Sequence, residues 1–207
     1  MNDNIITYSS QDIPSSLFKA IVVPRPIGWV SSKNEQGIQN LAPFSYFNVV
    51  GDDPFTIMLS FTRKHLDSAH KDTLVNIETT KYFVINMVTF DLYHQMNSTA
   101  TSIPNTESEF SKFNIPYTMS THGDVQMVAN SPIHLECTYF RSVDLPSYDA
   151  TITNRMVLGV VNMVHINKHI LDVNGNLDYR KCPLIARVGY GDYLTLHPDN
   201  FFHSKKP

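Results

Sequence analysis

The chain has 207 residues, 42% hydrophobic and 17% charged, with a formal net charge of −3. That balance fits one globular domain, read here as residues 1–207, and not a disordered segment. The absence of a Lys/Arg run argues against a nucleic-acid or anionic-membrane surface, and no apolar stretch nears the roughly 18–20 residues that span a bilayer.

Taken in chain order, Met1-Asn2-Asp3-Asn4 lacks the basic-then-apolar pattern of a signal peptide. A strand is expected over Ile27 to Lys33, turning at Asn34-Glu35-Gln36-Gly37 into a return strand from Ile38. Phe55 to Thr62 and Tyr82 to Val88 read as buried strands. Between them, Leu74 and Ile77 sit three apart and predict a short helix over Asp72 to Thr80, with Ser68, Asp72 or Thr73 as its cap. Short helices are expected over Phe90 to Ser98 and Ser108 to Phe113, strands over Ile133 to Phe140 and Met156 to Ile166, and a turn at Asn174-Gly175. Cys137 alternates with Ile133, Leu135 and Tyr139 as a core residue, and Cys182 sits beside Pro183; two such cysteines suit a reducing cytoplasm. Strands outnumber helices without βαβ alternation, so the fold class is β-rich α+β: a closed or partly closed barrel with short peripheral helices.

Three stretches carry the chemistry. They are Pro24 to Ser32, Asn40 to Asn48, and Ser60-Phe61-Thr62-Arg63 with Lys71 to Asn76. Pro43 and Pro54 cannot donate to a ladder, which puts them where strands end or loop outward. Ser31, Ser32, Ser45, Asn48, Ser60 and Thr62 then fall near strand ends, with Arg63, Lys71 and a helix start close in sequence. Hydroxyls, cations and free helix amides are what a phosphate needs, and interleaved aromatics suit a flat heteroaromatic ring. The same residues also fit turn formers and core side chains, Trp29 above all. The pattern alone stops at a small barrel with a phosphate-ligand site.

These stretches resemble the FMN-binding split-barrel proteins of the flavin-reductase-like family. The likeness lies in Arg25 bracketed by prolines before a tryptophan-bearing strand, the Asn40-Leu41-Ala42-Pro43-Phe44-Ser45 segment, the Lys71 to Ile77 helix and the strand ending at Asn86. Met96-Asn97, Glu109-Phe110 and Ser131 to Cys137 add to it, in order, over roughly residues 20 to 193. The resemblance implies a split β-barrel that binds FMN. Trp29, Val30, Ser31 and Ser32, with Ala42, Pro43, Ser45 and Asn48, would flank the isoalloxazine and ribityl chain. Ser60, Phe61, Thr62, Arg63, Lys71, Asp72 and Thr73 would hold the ribityl and phosphate, and Arg25 joins the cofactor set. It also implies a homodimer in which Tyr190 reaches the partner's cofactor. Gly28 stands where a residue such as alanine is expected, Gly189-Tyr190-Gly191 replaces a paired-glycine stretch, and Val143 to Asn154 aligns with nothing.

Other signals carry less. Gly189-Tyr190-Gly191 lacks the third glycine and the βαβ context of a dinucleotide fingerprint. His165 and His169 could share a strand face, but no carboxylate with ligand spacing accompanies them, and no metal is assigned. His65 and His70 flank the helix start. The expected activity is NAD(P)H-dependent flavin reduction, with hydride passing from nicotinamide to flavin N5; because the cofactor carries that chemistry, no catalytic side chain is named. The alternatives are an FMN electron-transfer protein without a nicotinamide site, and a non-enzymatic flavin-binding module.

Overall fold

The structure is a computed structural model that describes residues 4–62, 70–149 and 152–204. Helix α1 (Ser15–Ile21) precedes a short strand β1 (Arg25–Pro26) and the hairpin β2 (Gly28–Lys33) and β3 (Gln39–Phe44). Strands β4 (Phe47–Asp52) and β5 (Phe55–Phe61) follow, then α2 (Asp72–Thr80) and β6 (Tyr82–Met87). Next come α3 (Tyr93–Ser98), α4 (Glu109–Lys112), and the paired strands β7 (Tyr117–Met119) and β8 (Gln126–Val128). The long strands β9 (Ile133–Leu145) and β10 (Asn154–Ile166) lead to β11 (Ile185–Val188) and β12 (Asp192–Thr195).

Among the described residues, seven strands form one antiparallel sheet in the order β3-β2-β6-β9-β10-β5-β4. Its two edges, β3 and β4, are consecutive in the chain and joined only by Ser45 and Tyr46, and Ser60 N–H donates to the Tyr46 carbonyl at 2.8 Å. The sheet therefore curls until its edges nearly meet, a barrel left split beside that link. One core cluster accordingly draws from strands all round the sheet: Val30, Phe47, Ile57, Leu59, Ile85, Cys137 and Val157, closed by Leu74 and Ile77 of α2. Side chains alternate across a strand, so Trp29 points the other way, into a second cluster with Leu41, Met96 and Phe110 under α3 and α4.

Most elements fall where the periodicity puts them, and α2 spans Asp72–Thr80 as expected. Its cap is Lys71, whose side chain makes no capping bond; Ser68 and His65 lie outside the described residues. Pro43 lies inside β3, opposite Trp29, which an edge strand tolerates because its outer side needs no donor. The hairpin of β9 and β10 reaches into the segment that had no readable pattern, with Leu145 paired to Asn154. Its register shifts at Leu158/Gly159, and a Cβ at Gly159 would lie 2.5 Å from Phe83 Cζ, so the glycine lets Phe83 pack against the bend. His169 is in the 3-10 turn after β10, while His165 meets a carboxylate after all: its Nε2 is 2.7 Å from Glu136 across the β9–β10 ladder. No helix among the described residues is long and apolar enough to cross a membrane.

Candidate functional site

A cavity of about 310 Å³ lies beside the split, at the small end of the range that holds organic ligands. The end of β3 supplies Ala42, Pro43 and Phe44 and the β3–β4 link Ser45 and Tyr46; β5 and its exit supply Ser60 and Thr62; the start of α2 supplies Lys71, Asp72 and Thr73. Lys19 from α1, Arg25 from β1, and Arg187, Gly189 and Tyr190 from β11 and its turn complete one side. The segment 99–103 and the side chains of Asn40 and Glu109 close the rest.

Of the residues singled out in the sequence, Arg25, Ala42, Pro43, Ser45, Ser60, Thr62, Lys71, Asp72, Thr73 and Tyr190 meet on this wall. Arg63 lies outside the described residues. Trp29, Val30, Ser31, Ser32, Asn48 and Phe61 do not line it, each for a local reason. Trp29 and Val30 fill the two cores, and Phe61 packs edge-on against Phe44 with ring centroids 4.8 Å apart. Ser31 is buried against Asn86, whose Nδ2 donates to its hydroxyl at 2.7 Å. Asn48 is exposed on edge strand β4, its Oδ1 accepting from Val49 N–H at 2.9 Å.

Trp29 nevertheless reaches the wall through one bond: its Nε1 donates to Thr99 Oγ1 at 2.8 Å, fixing the start of segment 99–103. Ser32 acts in the same indirect way. Its hydroxyl donates to Asn40 Oδ1 at 3.3 Å and accepts from Asn76 Nδ2 at 3.2 Å. Asn40 Oδ1 also accepts from Thr73 Oγ1 at 2.7 Å, and Asn40 Nδ2 donates to both carboxylate oxygens of Glu109, at 3.2 and 3.3 Å. Glu109 takes a further bond from Leu41 N–H at 2.9 Å. This network ties β2, β3, α2 and α4 into one floor. Sequence reading named Ser32 and Thr73 and quoted Asn40, Asn76 and Glu109 in its motifs without giving them a role; it passed over the segment 99–103, which is marked by a run of small polar residues, Asn97-Ser98-Thr99-Ala100-Thr101-Ser102.

Among the described residues, four cationic side chains, Lys19, Arg25, Lys71 and Arg187, line the cavity against two carboxylates, Asp72 and Glu109. Burial pushes the Glu109 carboxyl up to about 7, and the nearby Asp72 charge adds to the rise; the Leu41 amide and Asn40 oppose it without offsetting it. Arg25 is only 8% exposed. Its Nη1 donates to the carbonyls of Lys19 and Val22, and its Nη2 to Gly189 at 2.8 Å. Gly189 offers that carbonyl from a left-handed backbone at φ +63°. Tyr190, 62% exposed, sits at the rim with Lys19 Nζ 5.2 Å from its ring centre.

The flavin reductase like domain family matches residues 20–181. An uncharacterized protein of Aquifex aeolicus is 34% identical over 92% of this chain and 93% of its own length. Component B of nitrilotriacetate monooxygenase from Bacillus cereus superposes with a TM-score of 0.87 at 25% identity, over 97% of this chain and 98% of that one. The 2-nitrobenzoate 2-nitroreductase of Pseudomonas fluorescens superposes at 0.81, also at 25% identity, over 98% and 96% of the two chains. With its split barrel, its cavity at the β3–β4 link and this match across most of its length, the chain belongs to the flavin reductase like domain family.

Proposed function

We propose that the protein binds FMN in this cavity and works as an oxidoreductase, drawing hydride from NADH or NADPH as a flavin reductase. The observation that carries the reading is the convergence of the β3–β4 link, the β5 exit and the start of α2 on one cavity. The donor set fits the cofactor. Lys71, the hydroxyls of Ser60, Thr62 and Thr73, and the first amides of α2 suit a phosphate and a polyol. Ala42, Pro43, Phe44, Ser45 and Tyr46 offer apolar contact and backbone polar groups to a flat ring; Tyr190, expected from the resemblance to reach a partner's cofactor, stands at the rim of its own chain's cavity. Trp29, Val30, Ser31, Ser32, Asn48 and Phe61 would act from behind this wall, by holding the strands that carry it. Arg63, beyond the described residues, stays in the proposed phosphate set on the strength of its place after Thr62.

Flavin, when bound, supplies the electron chemistry. The chain's own part is to bind, to orient and to exclude water, and no side-chain acid or base is assigned. The protein is expected to show flavin bands near ~370 and ~450 nm, or to acquire them with added FMN. It should then speed NADH or NADPH oxidation beyond the rate with free FMN. A flavin-loaded protein with no such acceleration would reject the reductase reading and leave FMN binding standing.

The same reading includes a homodimer in a reducing cytoplasm. It is supported by α1, which buries none of its residues and exposes Leu17, Phe18 and Ile21, with Val22 exposed just after it, and by two free, buried cysteines. Light scattering is expected to give twice the 23.5 kDa chain mass; a single chain mass would overturn the dimer.

A further inference from the structure

Besides Lys19 of α1, the cationic groups described at the cavity fall into two sets carried by different elements. Lys71 belongs to the start of α2, beside Ser60, Thr62 and Thr73. Arg25 and Arg187 belong to the small three-stranded sheet, where they are direct cross-strand partners in the antiparallel β1–β11 ladder. Partners in such a ladder project to the same face, and like charges placed opposite each other repel. Among the described residues neither arginine forms a salt bridge to a carboxylate.

Both are nonetheless held in place. Carbonyl groups of Lys19, Val22 and Gly189 fix Arg25, while Tyr193 Oη and the Tyr190 carbonyl fix Arg187, whose guanidinium lies 4.6 Å from the Tyr193 ring centre. Arg25 is more than nine-tenths buried, and its Nε finds no acceptor among the described residues. An immobilised cationic pair beside a cavity is what an anionic oxygen needs.

FMN carries one phosphate. If that phosphate lies with Lys71, as proposed above, the arginine pair has no cofactor phosphate to meet. We infer that Arg25 and Arg187 form a second anion subsite, which takes a carboxylate or phosphate group of the molecule that exchanges electrons with the flavin. This inference rests on the FMN reading and moves Arg25 from the cofactor to the substrate. The two sources of the anion are a small organic acid and the pyrophosphate of a nicotinamide dinucleotide.

The test uses FMN-loaded protein titrated by calorimetry with benzoate, with its neutral analogue benzamide, and with ADP-ribose. FMN affinity is measured in parallel by fluorescence quenching. Benzoate or ADP-ribose should bind and benzamide should not, the anion that binds naming the source. Arg187→Gln should weaken that anion about tenfold or more, as loss of a charge-assisted contact requires. Arg187→Lys should recover part of the loss, and FMN affinity should stay within about twofold in both variants. Equal binding of benzamide, no binding of either anion, or an Arg187→Gln variant that folds and binds the anion normally would overturn the inference. FMN weakened in step with the anion would overturn it too, by making the pair the cofactor's phosphate site. Failure of the wild-type protein to take FMN would instead defeat the underlying reading, and this one with it.

Discussion

Glu109, on the cavity floor, and Glu136, under the turn between β7 and β8, are both buried carboxylates, yet their acidities move in opposite directions. Burial alone would raise both. At Glu136 it is outweighed by the Tyr82 hydroxyl, the Thr121 amide at 2.7 Å, His165 at 2.7 Å and the His122 amide at 3.2 Å, which hold the carboxyl down at about 2. At Glu109 the donors are fewer, the Leu41 amide and the Asn40 side chain, and Asp72 adds repulsion, so burial wins at about 7. The fold invests donors where a charge has only to be stored. It leaves a carboxyl raised toward neutrality where the wall lines the cavity.

The contrast can be broken most severely at Glu136. Glu136→Ala leaves two amides, a phenol and an imidazole without their acceptor under a packed turn. It is expected to cost about 3–5 kcal/mol in urea unfolding; a loss below about 1 kcal/mol would mean the donors are re-satisfied by water.

Next in size is the pH dependence. Glu109 binds its proton more tightly folded than unfolded, so it stabilises the protein at low pH and loses that contribution as pH rises from 4.5 through about 7. At about 1.4 kcal/mol per pKa unit, the loss reaches about 3 kcal/mol. Glu136 has the opposite sign: its contribution is present above pH 4.5 and is lost as pH falls toward about 2. Urea midpoints measured across pH 4 to 8 should lose the neutral-range slope in Glu109→Gln and keep it in Glu136→Gln. Parallel curves for wild type and Glu109→Gln would mean that the floor carboxyl titrates normally.

Lys71→Ala sharpens the cavity side of the comparison. It should weaken FMN by about 1.5–3 kcal/mol in a quenching titration, because a charge-assisted phosphate contact is lost. Unchanged affinity would put the phosphate elsewhere. The smallest effect is expected from His165→Ala, which removes one of the four donors to Glu136. Stability should fall by about 1–1.5 kcal/mol, and the acid limb, still starting near pH 4.5, should be smaller and end at higher pH. An unmoved acid limb would show that the histidine contributes little to holding the charge.

How much of this was legible follows the range of the interactions. The β2–β3 hairpin and α2 announce themselves locally, through a glycine turn and apolar spacing, and their residues supply Ala42, Pro43, Lys71, Asp72 and Thr73 to the cavity. Arg187 is written far from the other motifs and arrives only because β11 pairs with β1, a contact between residues 162 positions apart (187 − 25). Glu109 was visible as part of a resemblance, but nothing local says that its carboxyl turns back to the Leu41 amide. Trp29 and Val30 show the opposite difficulty. Their strand was readable, but which face met the cavity was not, because that depends on how the sheet curls.

Trp29 is the single tryptophan of the chain, fully shielded from solvent, and its indole N–H ends on Thr99 at the cavity's edge. Its emission therefore reports on one junction only, free of overlapping signals from other indoles. Ligand-induced movement of segment 99–103 would register in that band without any label, and a flavin seated nearby would quench it by accepting its excitation energy. The fold thus carries its own optical gauge of cavity occupancy.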